Sequence, residues 1–159
     1  MPQAENTVLM EGVRIIFRNF TGKEGKFNKP GDRNFGVVIP PGLASQLNED
    51  GWPVKVLEPR EQDEGEEGTP WLPVSIRFDV FPPRVVLVTS NGRTQLGEDQ
   101  IEMLDWADIT NVDLIVRPYN WEMPGGKSGV KAYVKTMYVT IEEDALEAKY
   151  GIGDGAVAE

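Results

Sequence analysis

The sequence predicts a mainly β protein, a single five-stranded Greek-key barrel with a helix between strands three and four. Several short runs alternate apolar and polar residues, and clusters of Gly, Pro and Asn separate them. The chain has 159 residues, of which 40% are hydrophobic. This is enough to form one buried core without disulfide bonds or a structural metal. The strand order also predicts an insertion with an acidic loop between the second and third strands.

The first two strands lie on either side of a long loop. We expect residues 1–10 to form a flexible arm. From Gly12 the run GVRIIFRNF alternates as a half-buried strand does, and after the loop the run NFGVVI forms the second strand. The predicted faces of the first strand are Val13, Ile15 and Phe17 on one side and Arg14, Ile16 and Arg18 on the other.

The middle of the chain carries the insertion. Residues 42–50 predict a short helix ended by Gly51, and the acidic loop 58–68 lacks the apolar residues that would order it, so we expect it to be mobile. The runs TPWLPVSIRFDVF and RVVLVTS then predict extended chain, and residues 98–108 predict the helix that precedes the last two strands. We expect three of the tryptophans to be packing residues in or near the core: Trp52, Trp71 and Trp106.

Composition excludes several classes of chemistry. The chain has no cysteine and no histidine, so disulfides, thiolate nucleophiles and histidine-dependent catalysis or metal binding are all absent. We therefore expect no enzymatic activity, no cofactor and no metal. The net charge is −10, but residues 58–68 and 142–159 each contribute −5, and residues 98–108 hold five acids and no base. The rest of the chain is net positive, which leaves room for a local basic groove.

The last predicted hairpin has two different faces. Its strands are NVDLIVRPYNW and GVKAYVKTMYVTI, joined by EMPGGKSG. Because successive side chains alternate, one face is apolar and the other gathers aromatic and cationic residues. Aromatic rings stack on bases and cations follow phosphates, so this second face predicts a surface for single-stranded nucleic acid. Its members are Arg117, Tyr119, Trp121, Lys131, Tyr133 and Lys135.

The loop between the first two strands gives an independent signal. In barrels of this type the loops between strands one and two and between strands four and five flank the binding face. Those loops are residues 21–33 and 122–129, and the first is rich in cations and glycine around one aromatic ring. The candidate binding residues there are Lys23, Lys26, Phe27, Lys29 and Arg33, and Arg14 and Arg18 on strand one extend the basic track.

Two stretches resemble a known family. LMEGVRIIFRNFTGKEGKFNKPGDRNFGVVI and TNVDLIVRPYNWEMPGGKSGVKAYVKTMYVTI, above all Arg117-Pro118-Tyr119-x-Trp121 and Gly129-Val130-Lys131-Ala132-Tyr133, resemble single-stranded DNA-binding proteins of tailed bacteriophages. The resemblance implies an OB fold over residues 11–141 that coats single strands during phage replication or recombination. It also implies that bases lie on Tyr119, Trp121 and Tyr133, and phosphates on neighbouring Lys and Arg.

The expected partners follow from this interpretation. They are single-stranded DNA, with RNA left open, and replication or recombination proteins reached through the acidic tail 142–159. No signal peptide or membrane span is expected, so the cytoplasm of the infected bacterial host is the expected compartment, and the protein would be a monomer or homodimer. Two alternatives stay open. One is a protein-interaction module or host-factor inhibitor that uses the acidic segments, and the other is a hydrolase or nuclease that uses carboxylates and a divalent metal.

Overall fold

The computed structural model describes residues 6–25, 30–57, 68–79 and 82–142, which contain eight strands and two short helices. The strands are β1 (Val8–Asn19), β2 (Arg33–Val38), β3 (Lys55–Leu57), β4 (Thr69–Ile76), β5 (Arg84–Thr89), β6 (Gly92–Leu96), β7 (Ile109–Glu122) and β8 (Ser128–Ile141). The helices are α1 (Pro41–Glu49) and a 3-10 helix (Ile101–Asp105).

Five of these strands close into the predicted barrel. β2 pairs antiparallel with β1 and β4, and β7 pairs antiparallel with β1 and β8. A parallel pairing of β4 with β8 completes the circle, with Val74 opposite Ala132 and Ser75 opposite Tyr133. Closure leaves none of these five strands with a fully unpaired edge. The expectation of a mainly β protein with a five-stranded barrel is confirmed.

The remaining strands extend the sheet outside the barrel. β3 pairs with the start of β4, while β5 pairs parallel with the second half of β8 and carries β6 as a hairpin partner. The β5–β6 hairpin and the 3-10 helix both lie between the third and fourth barrel strands. The helix expected over 98–108 is therefore one short 3-10 helix, and the helix expected over 42–50 is present as α1.

Alternation along the strands places the core inside the barrel. The apolar face of the last hairpin is buried, including Val112, Leu114 and Val116 on β7 and Val130, Ala132 and Val134 on β8. A bulge between the pairs Ile115–Thr136 and Val116–Val134 leaves Lys135 without an opposite residue and changes the phase of β8. Beyond that bulge Met137, Val139 and Ile141 are the inward residues. Each fully buried side chain of this size stabilises the fold by about 1.5–3 kcal/mol.

The first strand departs from its predicted pattern. β1 begins at Val8, inside the segment expected to be an arm, and its register shifts between Ile16 and Asn19. At that bulge Phe17 has φ 52°, and its side chain is 56% exposed. The expectation that Phe17 shares the face of Val13 and Ile15 is therefore wrong, because a bulge rotates the residue out of the alternation.

Some expectations concern residues outside the described ranges. These are residues 1–5 of the arm, residues 58–67 of the acidic loop, the acidic tail beyond Glu142, and the loop residues Lys26, Phe27 and Lys29. Within the described ranges, no helix has the length and apolar character needed to cross a membrane.

Candidate nucleic-acid interface

The outer face of the β7–β8 hairpin carries the six residues that the alternation grouped together. Arg117 lies opposite Tyr133, Tyr119 opposite Lys131, and Trp121 opposite Gly129. Tyr119 is 54% exposed, Lys131 and Lys135 are exposed, and Arg117 and Trp121 are half-buried. The hairpin therefore presents rings and cations to solvent over several adjacent positions.

Tyr133 lies at the centre of this surface and is covered by its neighbours. The guanidinium carbon of Arg117 is 5.5 Å from its ring centroid, and the Lys131 ammonium is 5.4 Å from it. The Tyr119 ring meets the Tyr133 ring edge to face at 6.1 Å. Tyr133 is only 8% exposed, so its ring holds two cations and a second ring in place and offers little area of its own to a base.

A groove of about 940 Å³ continues this surface across β4 and β2. Because Ser75 on β4 lies beside Tyr133 on β8, the parallel pairing that closes the barrel joins the two areas. The residues that line the groove include Phe17, Arg33, Lys55, Trp71, Pro73, Ser75, Arg77, Phe78, Asp79, Glu98 and Lys131.

Two aromatic side chains form one end of the groove. The Phe17 and Trp71 rings meet edge to face with centroids 5.0 Å apart, and the Lys55 ammonium lies 5.7 Å from the centroid of Trp71. The indole of Trp71 lies over Gly36, where a Cβ would approach it to 2.7 Å. A glycine at this point of β2 therefore lets the ring lie flat against the sheet.

The sequence interpretation missed both aromatic residues. Trp71 was assigned to packing, although it alternates out of phase with the buried Leu72 and Val74 and so belongs to the outer face. That phase was the signal that could have found it. Phe17 had no comparable signal, because its outward direction depends on the bulge in β1.

Opposite charges are paired within the groove. Arg77 bonds Asp79 through both ends of its guanidinium, Nε to Oδ1 at 3.0 Å and Nη2 to Oδ2 at 2.6 Å. Its hydrogen bond with Asp79 and then its hydrogen bond with Tyr133 raise the pKa of Arg77 above the usual value. Arg33 donates from Nη1 to Glu98 at 3.0 Å and from Nε to the Phe20 carbonyl at 3.0 Å.

The loop after β1 is anchored at its base. The Asp105 carboxylate accepts hydrogen bonds from the backbone N–H of Phe20 at 2.7 Å and of Thr21 at 3.0 Å, and from the Thr21 hydroxyl at 2.6 Å. The Asn19 side chain accepts from the backbone of Gly22 and Lys23. The exposed Lys23 ammonium lies 5.7 Å from the ring centroid of Trp106. Trp106 is 64% exposed, so the expectation that it is a packing residue is wrong.

The two arginines of β1 lie apart from the groove lining. Arg18 donates to the carbonyl oxygens of Leu104 at 2.9 Å and Ala107 at 2.7 Å, so its guanidinium holds the 3-10 helix against the barrel. Arg14 is exposed on the outer face of β1, opposite Val38. Of the described candidates, Arg33 and Lys131 line the groove, and the hairpin residues continue from it. In the part of the chain that the structure describes, no three acidic side chains are grouped to hold a metal ion.

The closed barrel, its strand pairing and the helix before its fourth strand define an OB fold. Residues 2–155 match the family model described as "Putative phage ssDNA-binding domain". The chain belongs to this family of phage single-stranded DNA-binding domains.

Solved structures of the same fold come from a bacteriophage. A C-terminal truncation of the single-stranded DNA-binding protein from bacteriophage Enc34 is 13% identical, with a TM-score of 0.56 and 87% of each chain covered. The Enc34 protein in complex with ssDNA is also 13% identical, with a TM-score of 0.57, and the match covers 87% of this chain and 88% of that one. At this identity the similarity shows a shared fold. No curated protein matches the sequence significantly.

Proposed function

We propose that the chain binds a single strand of DNA across the outer faces of β7, β8, β4 and β2, as far as Phe17 on the neighbouring strand β1. The observation that carries this proposal is the continuity of the surface: the Ser75–Tyr133 pairing joins the hairpin, where Tyr119 is exposed, to the groove lined by Lys131 and Trp71 and, from the neighbouring strand β1, by the exposed ring of Phe17. Neighbouring strands are about 4.8 Å apart, so four strands span about 14 Å, enough for a few nucleotides.

Bases stack on the open rings of this path. Tyr119 and Trp121 serve one end and Trp71 and Phe17 the other, each contributing about 1–3 kcal/mol to binding. Every base has a π face, so such binding has little sequence preference. Tyr133 holds Arg117 and Lys131 in position beneath the strand.

Cations along the path bind phosphates. Lys131, Arg117 and Lys135 follow the hairpin, Lys55 lies at the Trp71 end, and the loop between β1 and β2 adds its lysines. Each neutralised phosphate releases condensed counterions, so affinity falls as salt rises. Coating of exposed single strands during phage replication or recombination is the role that we assign to this binding.

Tryptophan fluorescence during titration with an oligo-dT strand of about 30 nucleotides tests the proposal. Trp121 and Trp71 border the path and their emission should be quenched, whereas Trp52 is 3% exposed and provides a constant background. Tyr119→Ala should weaken binding by about 1–3 kcal/mol. Tyr138→Ala is the matched control, because Tyr138 is an outer-face tyrosine of β8 placed beyond the bulge and outside the groove.

Two outcomes would contradict the proposal. One is an unchanged tryptophan emission together with no shifted oligo-dT band in a gel-shift assay at low salt. The other is an equal loss of affinity in Tyr119→Ala and Tyr138→Ala, which would place the binding surface elsewhere. Protection of the oligonucleotide from a single-strand nuclease tests the coating role separately.

A further inference from the structure

We propose that Asp79 and Glu98 are specificity-determining residues that keep duplex DNA out of the groove by neutralising Arg77 and Arg33. This inference rests on the proposed single-strand binding and concerns what the same groove rejects. Both acids and both arginines line the groove, and the two ion pairs join their side chains directly.

The Arg77–Asp79 ion pair contributes little to folding. The side chains of Arg77 and Asp79 are 49% and 64% exposed, and water screens the attraction of such exposed pairs. Arg77 and Asp79 are also two residues apart in sequence, so their contact does not tie distant elements together. Folding stability therefore does not explain why Asp79 lies in a groove that receives a polyanion, and the Glu98 carboxylate, 58% exposed, is also open to solvent there.

Because acidic side chains lie beside the cations, the residues that line the groove carry almost no net charge. Its cationic residues are Arg33, Lys55, Arg77 and Lys131, and its acidic residues are Asp32, Asp79 and Glu98. Phosphates that approach Arg77 or Arg33 must compete with a carboxylate already in hydrogen-bond contact. Binding in this groove consequently depends more on stacking than the number of cations suggests.

Single strands and duplexes differ in how well they can stack on the rings of a nearly neutral groove. A single strand exposes base faces to Tyr119 and Trp71 and can bend away from the protruding carboxylates of Asp79 and Glu98. A duplex hides its base faces and offers phosphates on a stiff rod, with a higher charge density than a single strand. The acidic side chains at the surface of the groove therefore lower the affinity for duplex DNA more than the affinity for single-stranded DNA, and this difference gives specificity.

Asp79→Asn, Glu98→Gln and the double variant test this inference with oligo-dT and with a matched duplex at several salt concentrations. Affinity for both ligands should rise, and by a larger factor for the duplex. For each arginine released, the slope of log affinity against log salt should steepen by about 0.9 with duplex and about 0.7 with single strands. Thermal unfolding of each variant checks that the fold is retained.

Glu49→Gln is the matched control, because it makes the same charge change on α1, outside the groove. An equal effect of Glu49→Gln would overturn the inference, since net charge would then be the cause. If the wild-type protein binds oligo-dT but Asp79→Asn leaves both affinities unchanged or lowers them, Asp79 does not keep the duplex out, and this inference fails while the proposed function stands. If the wild-type protein does not bind oligo-dT, the proposed function fails with it.

Discussion

The indole of Trp121 lies on Gly129, its direct partner across the β7–β8 hairpin. A Cβ at Gly129 would come within 2.7 Å of Cζ2 and 2.9 Å of Cε2 of Trp121. The ring therefore depends on a missing side chain in the opposite strand, as Trp71 depends on Gly36. Both tryptophans are fixed against the sheet in this way, with their outer faces directed at the proposed path of the DNA.

Gly129→Ala should lower the affinity for single-stranded DNA by on the order of 1 kcal/mol, because the new methyl group tilts the Trp121 ring from its stacking position. Gly129 has no positive φ, so alanine adds no backbone strain there. Gly42→Ala is the control, since a Cβ at that position meets nothing within 4 Å. Fluorescence titration with oligo-dT measures both variants, and equal affinities would contradict the packing argument.

Phe17→Gly should separate stability from binding. Phe17 adopts φ 52°, a left-handed conformation that costs a non-glycine residue roughly 1–2 kcal/mol. Glycine relieves this strain and alanine does not, while both remove the ring that contacts Trp71. We therefore expect Phe17→Gly to be more stable than Phe17→Ala by about 1 kcal/mol in urea unfolding. Both variants should lose about 1–3 kcal/mol of binding energy, and unimpaired binding would remove Phe17 from the path.

Asp105→Ala should destabilise the protein by about 1–3 kcal/mol. Its carboxylate accepts three hydrogen bonds from Phe20 and Thr21, and its loss leaves partly buried N–H donors without their acceptor. Glu102→Ala is a suitable control, because Glu102 is exposed on the same 3-10 helix. Urea unfolding compares the two, and a loss in Asp105→Ala no greater than that in Glu102→Ala would show that this anchor contributes little.

Lys131→Gln should reduce the salt dependence of binding. Lys131 lies in the groove beside Tyr133, so removing one phosphate contact should make the slope of log affinity against log salt shallower by about 0.7 for a single strand. Arg93→Gln on the outermost strand β6 should leave the slope unchanged, because Arg93 contacts Tyr138 away from the groove. Equal slopes in the two variants would place the phosphate contacts elsewhere.

The sequence by itself determined the barrel strands and the chemistry of the last hairpin. Alternation is a local property of an extended backbone, so Arg117, Tyr119, Trp121 and Lys131 could be assigned to one outer face from their spacing. The same rule applied to β4 would have placed Trp71 on the outer face.

Tertiary structure alone decided how these faces combine. The β4–β8 pairing that closes the barrel places Ser75 beside Tyr133 on adjacent strands. The Arg33–Glu98 ion pair links residues 65 positions apart in the sequence. The bulge that turns Phe17 outward arises from the register between β1 and β2. Such features depend on which strands meet and in what register, and that is settled by the packing of the whole barrel, so no window of neighbouring residues contains them.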